Sequence, residues 1–342
     1  MKILVIGDQH FKVELPYAQA IEDRRRGEWE TVKSAIHRAA DTCDIVVLLG
    51  DNLHAKHNHS AAIDEFITFL KGFGDKPVKC LVGNHERFGT KTALDFLKSV
   101  EYPNWTVYTE PTRAPIIEGS SIMGMFAPYL TPQMVGAKDK ESGVNLAIEK
   151  LKPADIAFFH QGITGAAVHG TMVNLFNEIV FPKEILEMLY GTVFAGHIHQ
   201  PQRLSDKVQV TGSVFTAEVG EHGKNVYIWN DGVIEEVPLP VRGIYKVELS
   251  SETSTATAFN DIPANSIVKV IITDRSVSVD NIRELTSHFD ACVIIEQYPS
   301  ERQKVHFDEG ALDLSVENML RIYADAKKVD YEALVSGYEL IK

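Results

Sequence analysis

Five times before residue 200, a short apolar run stops on a turn of metal-competent side chains. The runs are Lys2 to Ile6, Asp44 to Leu49, Val78 to Val82, Asp155 to Phe159 and Thr192 to Ala195. The turns are Gly7-Asp8-Gln9-His10, Gly50-Asp51-Asn52-Leu53-His54, Gly83-Asn84-His85-Glu86, Phe159-His160-Gln161-Gly162 and Gly196-His197-Ile198-His199. In open α/β sheets ligands gather beyond the carboxyl ends of the strands, so loops far apart in sequence can converge on one spot. A leading Gly lets the backbone bend sharply where a strand stops. Each turn alone carries little, because Gly-Asp after a strand is usually only a turn and a lone His-X-His only a surface loop. Independent turns would not be expected to supply Asp, His, Asp, Asn, His, His and His in series.

Between the apolar runs the spacing turns helical. Trp29, Val32, Ile36 and Ala39 share one face, as do Ile63, Phe66, Ile67 and Leu70, and a short helix is expected around Ala93 to Val100. Further strands are expected at Ser121 to Phe126, Val208 to Thr211, Asn225 to Trp229 and Val233 to Val237; the last three lack helices between them, so part of the fold is antiparallel. A four-layer α/β/β/α sandwich fits better than one doubly wound sheet. After Pro238-Leu239-Pro240 a fresh unit begins, with strands Ile244 to Leu249, Ile267 to Thr273 and Cys292 to Glu296 around a helix Val279 to Phe289. The expected division is residues 1–240, a smaller α/β capping domain at 241–310, and two C-terminal helices at 311–342. Those helices are read either as a cap or as a partner-docking hairpin.

Composition removes several function classes. With 342 residues, 44% of them hydrophobic, the chain can bury a real core and is neither disordered nor a disulfide-stapled miniprotein. Apolar runs such as Ile45 to Leu49 are too short to cross a bilayer, so no membrane association is expected. The amino terminus reaches Asp8 too soon for a signal peptide, and Cys43, Cys80 and Cys292 read as reduced core residues, both expectations of a cytoplasmic protein. A net charge of −13 argues against wrapping nucleic acid by bulk electrostatics.

Taken in order, the five turns resemble the signature DxH, GDxx, GNH[DE], H, GHxH of the calcineurin-like metallophosphoesterase superfamily, over about residues 1 to 240. The resemblance implies that Asp8, His10 and His199 hold one divalent ion, that Asn84, His160 and His197 hold another, and that Asp51 bridges them. It implies that His85 sits beside the phosphate and that Glu86 orients its ring. The electrostatics agree: a carboxylate between two close cations offsets their repulsion, a role an amide cannot fill. With Asp8 the only other charged ligand, the pocket stays net cationic and can attract a phosphodiester despite the acidic surface. Mixed imidazole, carboxylate and amide ligands suit Mn²⁺, Fe²⁺ or Zn²⁺ better than Ca²⁺ or Mg²⁺, and the resemblance favours Mn²⁺. A water activated by such ions makes a side-chain nucleophile unnecessary.

Within the superfamily, Asp51-Asn52-Leu53-His54 lacks the Asp-Arg-Gly by which phosphoprotein phosphatases grip phosphate. A His three residues after the bridging Asp is similar to SbcD-type double-strand-break repair nucleases, in which it helps position the DNA end. Phe158 to Gly162, the Thr211-Gly212-Ser213 following Gln202, and the small second domain resemble the same group. This implies a 3′ to 5′ exonuclease with endonuclease activity, acting as a homodimer with an SMC-like ATPase of the SbcC type, in bacterial or phage-infected cytoplasm. Candidate phosphate contacts are Arg24, Arg25, Arg26, Lys56, Arg87 and Lys91; His57 and His59 read as DNA-facing imidazoles rather than a further metal site. Phe66, Phe69, Leu70, Phe73, Leu94, Phe96 and Leu97 could form a dimer face or pack internally. Rival readings are a phosphodiesterase of small or cyclic nucleotides and a non-catalytic scaffold of the same fold.

Overall fold

The first apolar run forms the strand Lys2–Ile6, in which Ile3, Leu4, Val5 and Ile6 are all fully buried. Burial on both faces is what a parallel sheet covered on both sides requires. The computed structural model describes residues 1–14, 18–89, 91–99, 104–168, 171–172, 178–250, 257–289, 291–297, 320–321, 324 and 330–341. Among them, two six-stranded sheets carry the site. One runs in the order Val233–Pro238, Asn225–Asn230, Lys2–Ile6, Ile45–Leu48, Val78–Leu81, Trp105–Tyr108, with the last four parallel. The other runs Gln202–Arg203, Val208–Val210, Tyr190–Gly196, Ala154–His160, Met123–Ala127, Thr112–Pro115, parallel at its centre and antiparallel at both edges.

Alternation along each strand divides the core into three slabs. Ile3, Val5, Ile45 and Val47 meet Phe126, Ile156, Phe158 and Phe194 between the two sheets. There Tyr108 stacks on Phe126 at 4.3 Å, and Phe126 on Phe158 at 5.2 Å. The opposite faces, through Leu4, Ile6, Val46 and Leu48, pack on Trp29, Val32, Phe66 and Leu70 of helices Ala18–Ala40 and Ser60–Lys71. On the second sheet Met125, Ala157 and Val193 pack against Ala147 and Leu186 of helices Lys140–Glu149 and Lys183–Leu189. This is the expected four-layer sandwich, and each large apolar side chain buried in it contributes roughly 1.5–3 kcal/mol.

The chain leaves the first sheet at Pro238 and enters a third at Ile244: three parallel strands, Ile244–Leu249, Ile267–Ile272 and Ala291–Glu296, with helix Val279–Leu285 crossing between the last two. Met1–Gln297 forms one compact unit and Tyr298–Lys342 a second. In the second unit Tyr331–Ile341 is helical, and most of the helix expected from Ser315 to Lys327 lies outside the described residues. No described helix is long and apolar enough to cross a membrane.

Two expectations need correction, and a third is decided between its alternatives. The helix near Ala93 is a 3₁₀ turn, Asp95–Ser99, preceded by a small hairpin of Arg87–Phe88 with Lys91–Thr92. Phe66, Phe69, Leu70, Phe73, Leu94 and Leu97 are buried in the slab between the first sheet and its helices, with Phe96 packed against it, so of the two readings internal packing holds. Cys43 and Cys80 are buried free thiols, but Cys292 is only half-buried.

Candidate metal centre

The ends of five strands place their turns at one point, and the turns are tied together by backbone. His10 donates its N–H to the Asp51 carbonyl and Phe11 to that of Asn52, both at 2.8 Å. Glycine is required where the turns touch: at Gly50, with φ +107°, an added Cβ would lie 2.5 Å from His160 Nδ1, and at Gly83 it would lie 2.0 Å from Asp51 Oδ1. Among the described residues only His10, Asp51, His197 and Asp231 combine a side chain with positive φ. Three of these four belong to the turns, and strained backbone of this kind persists where function over-determines it.

Asp8, His10 and His199 bring ligand atoms within 4.8 Å of one another, and so do Asp51, His160 and His197. Asn84 joins the second group, with Oδ1 3.0 Å from both His160 Nε2 and His197 Nδ1. Asp51 Oδ2 lies between the groups, 3.4 Å from His160 Nε2 and 3.8 Å from His10 Nε2.

The hydrogen bonds behind the rings decide what these atoms can hold. His160 donates from Nδ1 to the Leu49 carbonyl at 2.8 Å, His197 from Nε2 to Glu178 at 2.9 Å, and His199 from Nδ1 to Glu221 at 2.9 Å. The remaining ring nitrogens therefore point lone pairs inward. His199 Nε2 faces His10 Nε2 at 3.0 Å, and the inward nitrogens of His160 and His197 face an amide oxygen. Lone pairs that close repel unless a cation lies among them, so the residues fit a pair of divalent ions.

Without metal a proton is the only cation at hand. Burial opposes charge on His160, but Asp51 and Asp8 outweigh it and hold the imidazole up to about 9. Burial instead drives His10 well below its usual range. Asp51 is held far below the usual carboxylate range by the surrounding imidazoles, against its own burial. Because metal must displace the His160 proton, affinity for Mn²⁺ is expected to fall about tenfold between pH 8 and pH 7. Calorimetric titration at the two pH values checks this, and a flat profile would contradict it.

Glu178 and Glu221 escaped the sequence reading. Tyr129 donates to Glu178 at 3.1 Å; Glu221 accepts from Lys224 at 3.0 Å and from the Ala217 N–H at 2.8 Å. Burial works against ionisation of Glu221, yet the His199 and Lys224 contacts bring it down to about 2. Two further carboxylates make the centre less cationic than its direct ligands suggest. Neither Glu stands at a fixed spacing from a ligand; the only signal was the general need of a metal-binding His for an acceptor at its other nitrogen. Ser213, in the noted Thr-Gly-Ser, donates its N–H to the His199 carbonyl at 3.0 Å, and Lys224 donates to the same oxygen at 2.7 Å.

His85 donates from Nδ1 to the His54 carbonyl at 2.7 Å, so its ring is oriented by backbone and not by Glu86. Its side chain is 38% exposed at the mouth, with Nε2 4.0 Å from Asp51 Oδ2. The rings of His54 and His85 stack with centroids 5.4 Å apart, and His54 Nδ1 lies 3.4 Å from His10 Nδ1. Burial, then Lys12 and His85, bring His54 down to about 4.

Glu86 turns inward instead, accepting the N–H groups of Leu53 and Gly83 at 2.9 Å and the Asn52 amide at 3.3 Å. Burial and the nearby Asp51 push it up to about 7. It pins two of the turns to each other. Glu86→Ala would leave two buried N–H groups unpaired, at about 1–3 kcal/mol each. The denaturation midpoint is expected to fall accordingly; an unchanged midpoint would remove this role.

The basic residues divide. Arg25 is fully buried, paired with Glu28 at 2.7 Å and donating to the Thr216 carbonyl at 2.6 Å, so it is structural. It lies in helix Ala18–Ala40, not in a loop, as do Arg24, whose side chain lies outside the described residues, and Arg26, which donates to the Val13 carbonyl. Arg87 donates to the Thr109 carbonyl, while Lys56 and Lys91 are exposed. His59 caps helix Ser60–Lys71 and His57 packs on Phe88, so among the described residues neither joins a metal group.

The family profile described as calcineurin-like phosphoesterase matches residues 1–201. The chain belongs to the calcineurin-like phosphoesterase family. It is 28% identical over 288 residues to "Putative phosphoesterase 244L" of Invertebrate iridescent virus 6, covering 81% of this chain and 88% of that protein. A crystal structure of TT1561 of Thermus thermophilus also matches, with TM-score 0.40 and 14% identity, covering 70% of this chain and 98% of that one. This calcineurin-like phosphoesterase carries metallophosphoesterase activity, and its His and Asp clusters fit a metal site.

Proposed function

We propose that this phosphoesterase is a Mn²⁺-dependent DNA nuclease acting at double-strand ends, with exonuclease and endonuclease activity. The observation that carries the reading is the placement of His54, three residues beyond Asp51, with its ring against His85 and beside His10. That side chain occupies the mouth of the centre, where a strand end would be steered.

Asp8, His10 and His199 would hold one ion and Asn84, His160 and His197 the other, with Asp51 shared. Two such ions supply an activated water and neutralise charge on the phosphodiester. The chain's own residues do the rest. Glu178, Glu221 and the Leu49 carbonyl fix the imidazole tautomers. The His54 carbonyl fixes His85 through Nδ1 and leaves Nε2 free, 4.0 Å from Asp51 Oδ2, where it can deliver a proton to the departing oxygen. His54 positions the substrate end. By resemblance to SbcD-type nucleases, the working form is a homodimer with an SbcC-type SMC-like ATPase in bacterial or phage-infected cytoplasm.

The test is cleavage of end-labelled duplex DNA in Mn²⁺, with and without a co-encoded SMC-like ATPase. Hydrolysis of bis(p-nitrophenyl) phosphate or cyclic nucleotides without any cleavage of duplex would assign a small-molecule phosphodiesterase instead. His54→Ala is expected to reduce exonuclease turnover about tenfold more than hydrolysis of the small ester, a difference of about 1.4 kcal/mol in transition-state binding. Equal losses on both would remove the reason for preferring DNA.

A further inference from the structure

Lys12 has no part in the scheme above. It follows a tethered segment: Phe11 is buried, with ring contacts to Trp29, Phe66 and Phe69 between 5.1 and 5.3 Å, and its carbonyl accepts the His54 N–H at 3.2 Å. The lysine is therefore held in place at its backbone and half-buried at its side chain. It lines a cavity of about 190 Å³ that it shares with Asp8, His10 and His199 of the metal groups and with His54 and His85, and whose apolar part is formed by Trp29 and Phe215.

Three other buried or half-buried cations of this unit are paired. Arg25 binds Glu28 and the Thr216 carbonyl, Lys224 binds Glu221, Ser213 and the His199 carbonyl, and Lys79 binds Tyr108 and the Pro115 carbonyl. Among the described residues the Lys12 ammonium has no hydrogen bond or ion pair, only longer-range attraction to Glu221 and Glu218. A half-buried charge left unmatched in a cavity beside the metal ligands is costly unless something binds there.

We propose that this cavity includes a subsite for the nucleotide next to the scissile bond, with Lys12 binding that nucleotide's phosphate. The inference rests on the phosphodiesterase reading. The cavity is lined both by Asp8, His10 and His199, which would hold a metal beside the scissile phosphate, and by Lys12, so a second phosphate held by Lys12 would lie close to the scissile one, with Trp29 and Phe215 forming an apolar part suited to a sugar. The ligand class is an organic phosphodiester carrying a second phosphate, and Lys12 is a specificity residue, not a catalytic one.

The experiment compares the Mn²⁺-loaded protein on the dinucleotide TpT, with one phosphate, and on pTpT, TpTp and TpTpT, with two. The wild type is expected to favour at least one two-phosphate substrate in kcat/KM. Lys12→Met should lower that preference about tenfold through KM, as loss of one charge-assisted hydrogen bond would, and Lys12→Arg should restore most of it. Binding of the same compounds, read by displacement of a fluorescent oligonucleotide, is measured in parallel. No wild-type preference in either readout, or a Lys12→Met loss equal on one-phosphate and two-phosphate compounds, would overturn the subsite. If no ester is cleaved but the binding preference and its loss in Lys12→Met are both seen, the subsite stands and the hydrolytic reading fails.

Discussion

Asp51→Asn is expected to lower phosphodiester hydrolysis by about 10³-fold or more and to leave at most one divalent ion bound per chain. The backbone tolerates the change, because Asn accepts the positive φ of +48° about as readily as Asp. The His85 N–H bonded to Oδ1 at 2.9 Å keeps its acceptor. What disappears is the negative charge between the two groups, facing His160 and His10. Two cations without a shared carboxylate repel strongly, and the several kcal/mol of transition-state stabilisation that a second ion supplies goes with it. Metal analysis and turnover on bis(p-nitrophenyl) phosphate check the two halves separately. Full retention of two ions would show that Asp51 does not bridge.

The second large effect is expected at His85. His85→Ala should reduce hydrolysis by about 10²–10⁴-fold, the range of a lost general acid, while both ions stay bound. The argument is positional. The ring is partly exposed and oriented by a backbone carbonyl, whereas Asp51 and His160 are buried. The link to Asp51 that matters for the metals runs through the His85 backbone N–H, which Ala preserves. Loss of metal in this variant would make His85 a ligand, and unchanged turnover would deny it a role in the chemistry.

Much of this was legible in the sequence because strands announce their ends. The apolar runs gave the layers, and the turn after each run supplied a residue that the sheet topology brings to the same edge, from Asp8 to His199. What was hidden depends on contacts with no local period. Glu178 reaches His197 across 19 residues and Glu221 reaches His199 across 22, at separations that no helical or strand period sets. Arg25 looked like a surface cation until Glu28 and the Thr216 carbonyl closed around it, and Glu86 looked like a partner for His85 until its acceptors turned inward. The aromatic face of helix Ser60–Lys71 carried the right periodicity for either an interface or a core; only the packing of Phe66 and Phe69 around Phe11 decides for the core.

The most direct measurement is a calorimetric titration of the metal-stripped protein with Mn²⁺, in the wild type and in His160→Ala. Two ions per wild-type chain are predicted, with the His160 variant holding no more than one. Failure of the wild type to take up metal, or undiminished uptake by the variant, would contradict the binuclear centre.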